Sequence, residues 1–130
     1  MTCPTTTLEA RAIEGGSYQM EITLYDVENP AVALAEANIN TVTLTLVDEA
    51  TETVINSQSA TNIKDANNGE LSEAGVLSLT LLPADNALVG TATEWHIAII
   101  KWTFAKSING GDVTVTGVHN FRFVCEQNKE

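Results

Sequence analysis

The stretch Glu94 to Phe104, EWHIAIIKWTF, constrains the fold more than any other part of the chain. Both of its alternating rows are apolar at the centre. One carries His96, Ala98, Ile100, Trp102 and Phe104; the other carries Trp95, Ile97 and Ile99 before Lys101 and Thr103. A strand sends successive side chains to opposite faces, so water on either face would wet an apolar row. We therefore expect the central strand of a sandwich, with its second face covered by its own fold or by a partner chain.

The rest of the chain supplies neighbours for such a strand. Tyr18, Met20, Ile22 and Leu24 alternate with Gln19, Glu21 and Thr23, which predicts a half-buried strand. Ile39 to Val47 predicts another, with Val42, Leu44 and Leu46 inward and Thr41, Thr43 and Thr45 on the wet face, where β-branched residues fit the pleat. A turn at Asp48 to Thr51 leads to a third, short strand over Glu52 to Ile55. Leu77, Leu79 and Leu81 share one face of Val76 to Leu82, a strand ended by Pro83-Ala84-Asp85-Asn86. In the last strand Val113, Val115, His119, Phe121, Phe123 and Cys125 share a parity, after a turn containing Gly110-Gly111. Between Asp26 and Asn38 a short helix from Pro30 and an extended loop tucking in Val32 and Leu34 both fit; we favour the loop. Gln58 to Glu73, with the turn signal Asn67-Asn68-Gly69, reads as the longest loop and a place for partner contacts.

Six or seven short strands at about ten-residue intervals, with no convincing helix, predict an all-β, two-layer antiparallel sandwich of immunoglobulin-like architecture. A small β-barrel is the alternative. At 130 residues the chain is one domain. We expect an N-terminal arm over residues 1–16, the sandwich over 17–126 and a polar tail over 127–130. An ordered arm would need something to lie against.

Charge narrows the partners. Seventeen acids against 6 bases give a net −11, which repels nucleic acid and anionic membrane surfaces. No stretch approaches the ~20 apolar residues of a membrane span, and Met1-Thr2-Cys3-Pro4 lacks the basic start of a secretion signal. We expect a protein made in the cytoplasm, where Cys3 and Cys125 stay free thiols. A disulfide is the alternative if the first and last strands are neighbours.

Reactive constellations are scarce. His96 and His119 would approach one another if their strands paired through the Gly110-Gly111 turn. A metal needs three or four ligands, and only Glu94 sits beside them at strand spacing, so we expect no metal. Asp65 to Glu70 has glycine one position early for a calcium loop, and Val76 where the bidentate acid belongs. It reads as a turn. No nucleophile elbow, zinc-protease, phosphate-loop or dinucleotide motif occurs. We expect neither an enzyme nor a cofactor. Trp102 shares the row of Ile100 and Phe104 and belongs in the core. Trp95 falls on the opposite face, as an exposed anchor for a protein or sugar or as a cap on the sandwich end. The interaction candidates are thus Trp95, Ile97, Ile99, the loop residues Asn67 and Asn68, and Cys3.

Taken together, LTLVDEATETVINSQ, NNGELSEAGVLSLTLLPADNALV and EWHIAIIKWTF followed by a closing strand resemble small structural proteins of tailed bacteriophages and prophages. The marks are Val47-Asp48, Val54-Ile55, Pro83 to Asn86, and His96, Ala98 and Trp102, within roughly residues 18 to 125. The resemblance implies an immunoglobulin-like virion domain, made in the host cytoplasm, that decorates or cements the head or belongs to the head–tail or tail apparatus. Its expected partners are the major capsid protein or other virion proteins, and a dimer or trimer of itself. No family active site is carried over. A carbohydrate-binding or adhesion module using Trp95 is a further alternative.

Overall fold

The computed structural model describes residues 4–128. In chain order the strands are β1 (Thr5–Thr7), β2 (Ala12–Ile13), β3 (Tyr18–Thr23), β4 (Tyr25–Asp26), β5 (Asn29–Ala33), β6 (Ile39–Asp48), β7 (Thr61–Asn62), β8 (Gly69–Leu71), β9 (Val76–Leu81), β10 (Glu94–Ile108) and β11 (Gly111–Glu126). One sheet runs β1-β11-β10-β6-β7, with β2 also paired to β11; the second runs β3-β9-β8; β4 and β5 form a separate hairpin. The two larger sheets pack as an open sandwich of the expected immunoglobulin-like kind, and the barrel alternative is not realised.

Alternation builds the core as expected. Tyr18, Met20, Ile22 and Leu24 join Leu77, Leu79 and Leu81 from one sheet. Val42, Leu44, Leu46, Ala98, Ile100, Trp102, Phe104, Phe121 and Phe123 oppose them from the other. Tyr18 stacks on Phe123 across the layers at 4.8 Å. Each fully buried large side chain contributes on the order of 1.5–3 kcal/mol of transfer free energy.

β10 lies between β11 and β6, which makes it central, but its own fold covers only one face. His96, Ala98, Ile100, Trp102 and Phe104 are buried, while Ile97 and Ile99 are half-buried and Trp95 is exposed. The expectation of cover on both sides is therefore corrected for the single chain: the second sheet packs on the even-numbered row only.

Four further expectations change. Glu52 to Ile55 is not a strand: only an isolated bridge joins Val47 to Val54. Glu52, Asn56 and Ser57 have left-handed φ of 58°, 52° and 57°, which an extended ladder excludes. Gln58 to Glu73 is not one loop, since β7 and β8 lie within it. Asp26 to Asn38 is neither a helix nor a plain loop but the β4–β5 hairpin and a 3₁₀ turn at Glu36–Asn38, with Leu34 buried and Val32 exposed. Finally, His96 and His119 do not face each other, because His96 pairs with Phe123 and His119 with Ile100.

The N-terminal stretch does find something to lie against. β1 and β2 run parallel to the outer edge of β11, in register Thr5 to Asn120 and Ala12 to Cys125. Cys125 is a buried free thiol, pushed up to about 11 by burial and by Glu94 and Glu14. Cys3 lies outside the described residues.

Trp102 fixes the register at the centre. Its cross-strand partner is Gly117, and a Cβ there would run into the indole at Cε2, Cζ2 and Nε1. The indole N–H donates to the Tyr25 carbonyl at 3.2 Å, and the Tyr25 ring meets it edge-on at 5.3 Å, so the β4–β5 hairpin is seated on this tryptophan. Gly117→Ala should lower stability by about 2 kcal/mol or more through overpacking. Urea denaturation measures this, and an unchanged midpoint would contradict the packing described.

Candidate functional site

The outer face of the β6–β10–β11 ladder gathers the apolar residues that the core leaves out. Ile97 sits between Val47 and Arg122, and Ile99 between Thr45 and Asn120. Trp95, at the end of this row, is 37% exposed. Arg122 places its guanidinium over the Trp95 ring, 3.6 Å from the centroid. The same group grips Glu49 with two nitrogens, Nη2 to Oε1 at 2.9 Å and Nε to Oε2. Arg122 holds the Glu49 carboxyl below its usual range, and Glu49 in turn raises Arg122. The stack fixes Trp95 against the sheet and occupies one face of its ring.

Of the sequence-derived candidates, Trp95, Ile97 and Ile99 thus form one surface. Asn67 and Asn68 belong elsewhere, in the turn before β8, with left-handed φ of 48° and 69°. Asn67 Nδ2 donates to the Asn62 carbonyl at 2.8 Å, and the Asn68 carbonyl accepts from Thr80 N–H at 3.0 Å. Asp65 Oδ1 accepts from Leu71 N–H at 2.9 Å and closes the same turn.

At the Trp95 end of the ladder, a cleft of about 370 Å³ is lined by Asp48, Glu49, Thr51, Glu94 and Trp95 among others. Register places Asp48 directly opposite His96. His96 Nε2 lies 2.9 Å from Glu94 Oε1. Glu94 also receives the N–H groups of Val89 at 2.8 Å and Gly90 at 2.5 Å. Burial pushes the Glu94 carboxyl up, but these three hydrogen bonds outweigh it and leave the group below its usual range. Asp48 Oδ2 accepts from Thr51 Oγ1 at 2.7 Å and Thr51 N–H at 3.1 Å, which caps the turn after β6. Asp48, Glu94 and His96 each bring one ligand-type atom into a group whose members lie within 4.8 Å of one another. The sequence reading found Glu94 beside His96 but missed Asp48, since a cross-strand neighbour leaves no spacing signal in the chain.

His119 occupies a different junction. Its Nε2 is 2.7 Å from Thr6 Oγ1 and its Nδ1 is 2.9 Å from the Tyr25 hydroxyl, so one ring joins β1, the β4–β5 hairpin and β11. It also stacks on Phe121 at 4.5 Å.

Among the described residues no helix is long and apolar enough to cross a membrane. Comparison of the chain with protein-family models, with curated proteins and with solved structures gave no match.

Burial lowers the His119 pKa below its ordinary value. The unfolded chain then takes up the proton first as pH falls through about 6.5, so the His119 contribution is complete above that value and declines below it. Melting temperature should drop between pH 7.5 and 5.5, and His119→Asn should flatten that slope. An identical slope in the variant would refute the assignment.

Proposed function

We propose that this chain is a non-enzymatic structural protein of a tailed-bacteriophage virion, one that decorates or cements the capsid by bridging neighbouring subunits. Its seat would be the outer β6–β10–β11 face, used against the major capsid protein or against further copies of itself in a dimer or trimer. The observation that carries this reading is the row Trp95, Ile97 and Ile99, which the chain's own second sheet leaves uncovered. Apolar side chains lined up on a stiff sheet suit a surface that is buried on assembly.

Charge supports the same face. The outer positions over Thr41–Val47, Trp95–Thr103 and Thr116–Arg122 carry no acid and include Lys101, while the charge of Arg122 is balanced by Glu49. On a chain of net −11, another acidic copy meets least repulsion there. The N-terminal segment, expected as an arm that needs something to lie against, is paired with β11 at residues 5–7 and 12–13. Bridging therefore falls to the sheet face and to the β10–β11 hairpin, whose last four pairs, Ala105–Ile108 with Gly111–Thr114, extend beyond the last β6 partner of β10.

A connector or tail role would use the same surface against a different partner. The sugar-binding reading is weakened by Arg122, which occupies a face of Trp95 that a sugar ring would need.

Purified protein mixed with undecorated phage shells should pellet with them. The double variant Ile97→Asp/Ile99→Asp should stay in the supernatant while keeping its β-sheet circular dichroism. Wild-type protein that never pellets at saturating concentration would end the cement reading, and pelleting that the double variant leaves intact would remove this face from it.

A further inference from the structure

We propose that Asp48, Glu94 and His96 form a binding site for one divalent transition-metal ion of the zinc class. The donors are two carboxylates and one imidazole, with ligand-type atoms all within 4.8 Å of one another. Nitrogen and oxygen ligands stand about 2.0–2.2 Å from zinc, so a pair sharing one tetrahedral ion is separated by about 3.4 Å. Closing the set needs side-chain shifts on the order of an ångström. The backbone is already in place: Asp48 and His96 are direct cross-strand partners, and Glu94 precedes His96 by two residues on the same face.

His96 supplies the nitrogen donor beside the two carboxylates. His96 is wholly buried, and the ring nitrogen that faces Glu94 is Nε2, at 2.9 Å. A neutral imidazole keeps one nitrogen lone pair, the form in which histidine binds metals. An ion taking Nε2 would replace the Glu94–His96 hydrogen bond and draw both side chains onto one metal.

The surroundings leave room for the remaining ligands. Asp48 and Glu94 both line the cleft of about 370 Å³, which gives an ion a path in and space for water. Mixed imidazole and carboxylate donors select zinc, cobalt, nickel or manganese over calcium, which takes oxygen ligands. The ion would be structural. Asp48 holds the turn at Thr51, and Glu94 holds Val89 and Gly90, so one metal would clamp both segments onto the end of β10. This site does not depend on the virion reading, nor that reading on it.

The test uses the full chain, stripped with chelator and titrated with zinc chloride. Calorimetry should give one equivalent bound, with a higher melting temperature. The chain has two histidines, so ring ¹⁵N–¹H spectra of the wild type, assigned with His119→Asn, read the site directly: His96 should shift and His119 should not. His96→Asn and Asp48→Asn should each weaken binding by about tenfold or more. Unmoved His96 signals at saturating zinc would overturn the proposal, as would equal affinity in both folded variants. Should a variant fail to fold, the wild-type spectra alone decide.

Discussion

The contact between the Trp102 indole and the Cβ-free backbone of Gly117 is the constraint on which the rest of the structure depends. A tryptophan in the middle of a buried row needs space beside it, and glycine on the neighbouring strand supplies that space without bending the ladder. With this pair matched, the register between β10 and β11 is set, because a shift by one residue would turn one strand's buried row to the outer face. The same indole directs the β4–β5 hairpin through its N–H, so one side chain organises a sheet and the flap upon it.

A second set of constraints is polar and sits where the layers end. Asp85 accepts from Asn56 at 2.8 Å, from Gln58 at 2.9 Å and from Leu82 N–H at 2.9 Å. Asn86 donates to the Gly16 carbonyl at 2.7 Å, and its own carbonyl receives Gly15 N–H at 3.0 Å. Pro83 to Asn86 is thus a knot that binds the chain after β6, the end of β9 and the approach to β3. Buried donors and acceptors of this kind are costly to leave unpaired, which makes the knot specific about its neighbours. Asp48, Glu94 and His96 do comparable work at the end of β10. In each set one buried polar atom is left without a partner, Oδ1 of Asn86 in the knot and Nδ1 of His96 here.

The strands were legible because alternation is a local property. The rows of Tyr18 to Leu24, Val42 to Leu46 and Leu77 to Leu81 could each be assigned from a few consecutive residues, and each is buried as read. Residues 52–55 misled because Val54-Ile55 has strand composition, while the Asp48–Thr51 cap and the left-handed residues around it decide otherwise. The N-terminal residues have no period of their own, and their parallel pairing to β11 is an agreement between segments more than a hundred positions apart. Of the interaction candidates, Trp95, Ile97 and Ile99 could be grouped because they alternate on one strand. The Arg122–Glu49 stack on Trp95 could not be foreseen, since it joins three separate elements.

By itself, then, the sequence determined which side chains share a face, that the architecture is all-β, and that Trp102 belongs inside. A two-residue period and apolar burial suffice for these, and both act over short stretches of chain. Tertiary structure alone decided which row of β10 the second sheet covers, that the N-terminal segment lies along β11, and that Asp48 stands across from His96. Those outcomes depend on the register between distant strands, where the competing arrangements differ in packing and hydrogen bonding but look the same along the chain.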